Sequence, residues 1–277
     1  MLLHPAFLVG VVLTGLSHWA VGGQQDWAGD HYFAVTAMWG FLWTGTFLAA
    51  ALVAGRQRWL SNPDLFAGTP VAPSTRVLGL GLAVVGPVVV SLLLVGAVAV
   101  KWSDGFLMGE VPWVGRYQPG LVEWLQKPLL VALAGLAGIL VAQLPKGRLP
   151  VLLVTAVVMW FTSMALWMVQ VFPLRQLHPS MLPTYEHRLP LGFQPTGWRV
   201  GDHPLMSPDE YNTTWREARF DPASLGWHSL YLVGLGLLAL WGAMRLADGR
   251  DRHRLVLWAG GALTVLGGVL QLVAAGR

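Results

Sequence analysis

Long apolar stretches almost free of charge dominate this chain, and they direct it into a lipid bilayer. Seven runs stand out, at about 5–21, 31–54, 77–100, 124–144, 150–171, 227–246 and 255–274. Each is close to the roughly 20 residues that carry a helix across hydrocarbon. Backbone in hydrocarbon must satisfy its own hydrogen bonds, and for apolar runs of this length only helices do so. Hydrophobic residues make up 55% of the 277 positions and charged residues only 12%, about half the share carried by a soluble domain. Mean hydropathy is +0.55. The expected fold is therefore an all-α polytopic membrane protein, a six- or seven-helix transmembrane bundle forming one transmembrane domain over residues 1–277, with a long external loop or cap at 172–226.

The count of six or seven turns on the first run. Its apolar part, Pro5 to Leu16, ends in Ser17-His18-Trp19, which also fits an interfacial or signal-peptide-like segment. No Lys or Arg precedes it, whereas a secretory signal carries a positive start and a small-residue cleavage site. A retained first span is expected.

Charge then orients the bundle. Three short connections hold half of the basic residues: Arg56, Arg58 and Arg76; Lys146 and Arg148; and Arg245, Arg250, Arg252 and Arg254. All acids except Asp64, Asp248 and Asp251 lie in the rest of the chain. The positive-inside rule places those connections, and the N-terminus, in the cytoplasm; with seven spans the C-terminus is external. Glycines at helical spacing (Gly79, Gly81 and Gly86; Gly135 and Gly138; Gly234, Gly236 and Gly242; Gly260, Gly261, Gly267 and Gly268) are read as close-packing positions. Trp43, Trp59, Trp102, Trp113, Trp124, Trp227 and Trp241 fall near span ends or loops and are read as interfacial anchors.

Motifs for chemistry are sparse. The net charge is +4, yet the Lys and Arg residues are scattered through loops, so no nucleic-acid surface is expected. The absence of Cys excludes disulfides, thiolate metal sites and a Cys nucleophile. There is no HExxH helix, no mid-span His pair for haem, no GxSxG elbow and no SxxK pair. The only Gly beside a Lys, in Pro145-Lys146-Gly147-Arg148, is reversed relative to a P-loop, so any ATP-driven motor must be another chain. His18, His31, Glu123, Lys127 and His228 are the ionisable residues near the spans, all close to span ends. His178, Glu186, His187 and His203 match no established metal-ligand spacing. The Asn212-Thr213-Thr214 sequon matters only in a glycosylating host. No metal, cofactor or catalytic residue is expected in this chain, and it is read as a non-enzyme.

The loops carry more information. Between the second and third spans, Arg56 to Arg76 mixes Trp59, Leu60, Leu65, Phe66 and Val71 with polar and turn residues. Asn62 suits an N-cap, Pro63 the first helical position and Gly68 a stop. One short interfacial helix is expected there, lying on lipid headgroups or docking a cytoplasmic partner through Leu65 and Phe66. A span, an Arg-rich start, the string Leu65-Phe66-Ala67-Gly68-Thr69-Pro70-Val71, Arg76 six residues after that Pro, and then a Gly/Ala/Val-rich span resemble bacterial permeases of the ABC transporter type-2 exporter family. In that family the segment is the cytoplasmic coupling helix that touches the ATPase. The resemblance therefore implies ATPase coupling by Asn62, Asp64, Leu65, Phe66, Thr69, Val71 and Arg76. It also implies two ABC ATPase subunits that bind ATP and Mg, a second permease chain in a homo- or heterodimer, and residence in a bacterial inner (plasma) membrane.

The family's long external segment lies between its fifth and sixth spans, where this chain has Phe172 to Gly226. The following Trp227-His228-Ser229-Leu230-Tyr231-Leu232-Val233-Gly234-Leu235 is similar to the opening of the family's sixth span. The chain departs from the family in three ways: the acidic run at the coupling helix is reduced to Asp64, the amphipathic helix before the first span is missing, and there is a seventh span. The last two fit either a portion of a longer permease or a variant with an appended helix.

Eight prolines (Pro173, Pro179, Pro183, Pro190, Pro195, Pro204, Pro208 and Pro222) exclude long regular helices from the external loop. At such length it is a compact cap with short helices, one expected around Ser207 to Glu217. The leading expectation is an exporter permease moving a hydrophobic or amphipathic cargo. The alternatives are a structural scaffold subunit of a larger membrane complex, or a membrane enzyme or redox subunit using His178, Glu186, His187, Asp202 and His203. Bound haem, metal or quinone absorbance would mark the last.

Overall fold

A computed structural model describes residues 1–21, 31–59, 71–103, 106–108, 115–117, 119–144, nine positions between 152 and 165, 173–180, 184–188, 216–220, 222–249 and 253–275. Helix α1 spans Pro5–Val21 and α2 His31–Trp59. The third apolar run forms two helices, α3 (Pro73–Ala83) and α4 (Val85–Lys101). Then come α5 (Leu121–Ala142), the short α6 (Leu174–Leu177), α7 (Pro222–Asp248) and α8 (Arg254–Ala275). The described positions between 152 and 165 are all helical.

Among the described residues, five stretches are long and apolar enough to cross a membrane: Ala37–Arg56, Pro73–Lys101, Leu121–Ala142, Ala223–Asp248 and Arg254–Ala274. The chain is a helical, multi-pass membrane protein. Helix α1 is apolar but shorter, at 17 residues.

The chain also pairs strands outside the spans. Strand β1 (Phe106–Met108) runs antiparallel to β2 (Gly115–Tyr117), and β3 (Thr184–Arg188) antiparallel to β4 (Arg216–Phe220). The helix expected around Ser207 to Glu217 is corrected at its end, where Arg216 and Glu217 belong to β4 and pair with Arg188 and His187. Its remaining positions lie outside the described residues.

Helix α2 is the centre of the bundle. Leu42, Ala49, Ala50 and Ala51 are almost wholly buried, and α1 and α5 pack on opposite sides of this narrow, Ala-rich surface. Small residues decide how closely the helices approach, since leaving lipid gains an apolar side chain little and packing must supply the attraction. At the α1–α2 crossing, a Cβ on Gly10 would meet the Phe41 carbonyl oxygen at 2.6 Å, and one on Gly45 the Ala6 carbonyl oxygen at 2.6 Å. A Cβ on Gly138 of α5 would strike the Phe47 carbonyl oxygen of α2. Gly234 of α7 lies against Thr264 of α8, and Gly267 of α8 against Tyr231 and Trp227 of α7. Of the expected packing glycines, Gly79 and Gly261 face open space instead.

The break between α3 and α4 has a local cause. Pro87 has no N–H to give and its ring crowds the carbonyl four residues back, at Ala83. The chain responds with a tighter turn in which the Val84 N–H bonds the Gly81 carbonyl at 3.1 Å. Below the break α3 packs on α7, and above it α4 packs on α5. Helix α7 ends at Gly249, whose φ of 67° is the left-handed conformation that stops a helix cheaply only at glycine. The faces of α1, α4 and α8 that meet no other helix are apolar, with Leu16, Leu93 and Val265 all more than half exposed. These are lipid-facing surfaces.

Trp43 is not an interfacial anchor. It is 7% exposed and stacks on Trp160 with ring centroids 6.1 Å apart. A second tie holds the fifth apolar run to α2, since Trp160 Nε1 donates to Thr44 Oγ1 at 2.8 Å.

Candidate functional site

The antiparallel helices place the starts of α1, α3 and α8 and the ends of α2, α5 and α7 together, and Arg56, Arg58, Arg76, Arg245 and Arg254 lie on these helix ends. Here the connection between α2 and α3 leaves and returns. Of the residues expected in coupling, Asn62, Asp64, Leu65, Phe66 and Thr69 lie outside the described residues. Val71 is described and exposed, and Arg76 is half-buried on the first turn of α3. A cavity of about 100 Å³ lies beneath, between Ala54, Pro73, Arg76, Val77, Gln143 and Ala247. The re-entry is tied down by the Ser74 N–H, which donates to Asp248 Oδ1 at 2.9 Å. Arg245 sits over the Trp241 ring at 5.2 Å.

The start of α1 reaches the same end. The first free N–H groups of a helix need acceptors, and His4 Nδ1 accepts from the Ala6 N–H at 3.2 Å. Burial, the nearby Arg56 guanidinium and the N-terminal ammonium all lower the His4 pKa.

The opposite end gathers the buried polar groups. Glu123, Gln126 and Lys127 of α5 are 2%, 3% and 6% exposed. Glu123 and Lys127 stand one helical turn apart, so their opposite charges are neighbours. Gln126 Nε2 donates across to α7, to the Leu225 carbonyl at 3.1 Å and to Ser229 Oγ at 2.6 Å. The Ser229 hydroxyl in turn donates to the Leu225 carbonyl at 2.9 Å. Gln126 thus joins two spans through amide hydrogen bonds in a place that hydrocarbon would leave unsatisfied.

His228 of α7 is fully buried. Its Nδ1 lies 2.8 Å from the Gln271 side-chain amide of α8, and its Nε2 3.4 Å from the Pro179 carbonyl oxygen. The near atom of Gln271 is Oε1, which only accepts, so Nδ1 carries the proton and donates to it. The segment after α6 is fastened a second time, by Tyr231 Oη donating to the Leu177 carbonyl at 2.8 Å. His178 Nδ1 then holds the turn itself, 2.9 Å from Ser180 Oγ. Burial lowers the His178 pKa. The connection between the fifth and sixth apolar runs therefore begins as a strap bound to α7 and α8.

A third polar group lies between α1, α2 and α4. A backbone carbonyl only accepts, so at 2.7 Å from the Thr14 carbonyl His18 Nδ1 must carry the proton. Lys101 Nζ donates to the His18 carbonyl at 2.9 Å, tying α4 to the end of α1. His18 meets the Trp39 ring edge to face, with centroids 5.5 Å apart.

Glu186 and His187 are in β3, His178 is in the strap, and Asp202 and His203 lie outside the described residues. Among the described residues no group of three His, Asp or Glu side chains is placed to hold a metal ion. His31 opens α2.

No motif in the sequence marks Gln126, Ser229 or Gln271 as a polar contact. They are uncharged, and their partners sit 103 and 43 residues away. The usable signal was an amide inside an apolar run, as in Leu270-Gln271-Leu272. Comparison with family models, curated proteins and solved structures yields no match.

Proposed function

We propose that this chain is the membrane-spanning permease subunit of an ATP-driven exporter of the ABC type-2 kind. It works with two separate ATPase chains that bind ATP and Mg and with a second permease chain. The bundle lies in a bacterial plasma membrane with its N-terminus and arginine-rich end in the cytoplasm. The observation that carries the reading is the connection between α2 and α3. Its sequence, Leu65 to Val71 followed by Arg76, resembles that of a coupling segment, and its two flanks are the end of α2 and the start of α3 at the arginine-rich end. Because Asp248 holds the start of α3, a push on the segment reaches α7 as well as α2. Nucleotide-driven closure of the motor would bias a two-state bundle through that contact. The compact strap and the β3–β4 pair between the fifth and sixth apolar runs suit the external segment of such a permease. A hydrophobic or amphipathic cargo fits spans so poor in charge.

Purification of the tagged full chain from its native membrane in mild detergent tests the reading. A P-loop ATPase recovered in equal amount supports it. A monodisperse bundle recovered without one overturns it in favour of a scaffold or an enzyme subunit.

A further inference from the structure

Helix α8 carries one charged side chain, Arg254 at its first residue, and no acid. Arg254 is exposed, and a stripe of exposed apolar residues leads away from it down one side of the helix: Trp258, Ala262, Val265 and Val269, each three or four residues beyond the last. Trp258 is 71% exposed. At 1.5 Å per residue its Cα stands about 6 Å deeper in the bilayer than that of Arg254. A guanidinium at phosphate depth is thus followed by an indole at the depth of the glycerol esters, where an aromatic body meets hydrocarbon and its N–H meets an oxygen acceptor. A Cβ on Gly261, beside the stripe, would meet nothing within 4 Å, so the surface below Trp258 is open to a chain lying along it.

Such a face is covered either by lipid or by a second copy of the chain, and Arg254 decides between them. A two-fold axis normal to the membrane presents the same patch twice at equal depth. Pairing through this stripe would therefore set each Arg254 against its counterpart, with no acid on α8 to offset the repulsion. Asp248, on the neighbouring end of α7, is engaged by the Ser74 N–H. A phosphate removes the conflict, because its oxygens accept two parallel N–H bonds from the guanidinium fork.

We propose that this stripe of α8 is the docking surface for one anionic phospholipid in the leaflet at the arginine-rich end. Its phosphate pairs with Arg254, its glycerol esters lie beside Trp258, and an acyl chain runs along Ala262, Val265 and Val269. A phospholipid without net charge pairs less well, since its own cationic headgroup is repelled by the same guanidinium. The site stands independently of the exporter reading.

Native mass spectrometry of the delipidated full chain, titrated with dioleoyl phosphatidylglycerol and separately with dioleoyl phosphatidylcholine, tests it. Phosphatidylglycerol is expected to bind about fivefold tighter, the worth of one arginine at an anionic lipid surface. Arg254→Gln brings the two lipids to parity, and Arg254→Lys, which keeps the charge but not the fork, retains part of the preference. Arg56→Gln, an exposed cation at the same end on α2, leaves the preference unchanged, which separates a site on α8 from diffuse attraction of the whole end. Equal binding of the two lipids by the wild type overturns the proposal. So does an undiminished preference in an Arg254→Gln chain that elutes as the wild type does, and so does an equal loss in Arg56→Gln. A mass of two chains that Trp258→Arg reduces to one would give the face to a second copy and overturn the lipid.

Discussion

Asp248 Oδ1 accepts the backbone N–H of Ser74 at 2.9 Å, across 174 residues of sequence. Ala72, at the N-cap of α3, has no side chain able to cap the helix, and Pro73 fills the first position. An acid from the last turn of α7 thus does the work that a local Ser or Asp usually does, and its charge suits the positive end of the helix dipole. Asp248→Ala should destabilise the chain by about 1 kcal/mol, the ordinary cost of a lost cap, with Asp248→Asn milder because its amide oxygen still accepts. Thermal unfolding in detergent measures both, and equal midpoints for Asp248→Ala and wild type would remove the cap from the account.

The coupling assignment makes a prediction about a part of the chain whose role rests on sequence. Leu65 and Phe66 fall between the end of α2 and the start of α3, outside the spans. Changing both to Asp should abolish stimulation of the ATPase while leaving the bundle monodisperse. Full stimulation in the double variant would show that this segment does not touch the motor.

Close packing of α5 on α2 depends on the absence of a side chain at Gly138, because a Cβ there would strike the Phe47 carbonyl oxygen. A backbone atom yields far less than a flexible side chain. Gly138→Val is expected to cost about 1–3 kcal/mol or more through overpacking. Gly261→Ala, on a face open to lipid, should be neutral. Their difference in thermal midpoint reads the prediction, and similar midpoints would contradict it.

Gln126→Leu keeps the volume of a buried side chain and removes its bonds to Leu225 and Ser229. In a membrane such bonds are worth about 0.6 kcal/mol on average and rarely more than 1.7. A loss of roughly that size is expected on thermal unfolding. A variant more stable than wild type would show that the amide is kept for a reason other than stability.

Two histidines outside the spans give the fold a pH dependence of known sign. His4 must be neutral at Nδ1 to cap α1, and His178 must be neutral there to accept from Ser180. Both pKa values are lowered in the folded chain. Unfolded chain therefore takes up protons first, so the stability these groups confer is whole above about pH 6.5 and falls as the pH drops toward their folded values. Hydrogen exchange at the Ala6 and Ser180 amides, corrected for intrinsic rate, should show less protection at pH 5.5 than at pH 7.5. Unchanged protection would mean that neither contact depends on a neutral ring.

Hydropathy made the helices legible because the apolar runs are long and the connections carry the charge; α5 and α8 begin and end within about three residues of expectation. It missed the interruption at Val84, since averaging over an apolar window hides a proline set between Gly86 and Val88 in a valine-rich run. It also misjudged Trp43, because position along a span does not tell which face of the helix a ring occupies. The polar end was half visible. Glu123, Lys127 and His228 announced themselves as ionisable residues, but the bonds of Gln126 to Ser229 and of His228 to Gln271 arise only when α7 is brought beside α5 and α8. The Gly10–Gly45 crossing was hidden for the same reason, being one glycine on each of two helices with no repeat to reveal it.

The interruption at Val84 also changes what the third crossing is mechanically. Two short rods, end to end, are glued to different neighbours: the lower to α7 and, through Ser74, to its last turn, the upper to α5. The joint falls where a hydrogen bond is already missing, so bending there sacrifices less than bending an intact helix. A displacement of the start of α3 is thereby handed to α7 ahead of α5, and the strap fastened to His228 and Tyr231 lies at the far end of α7.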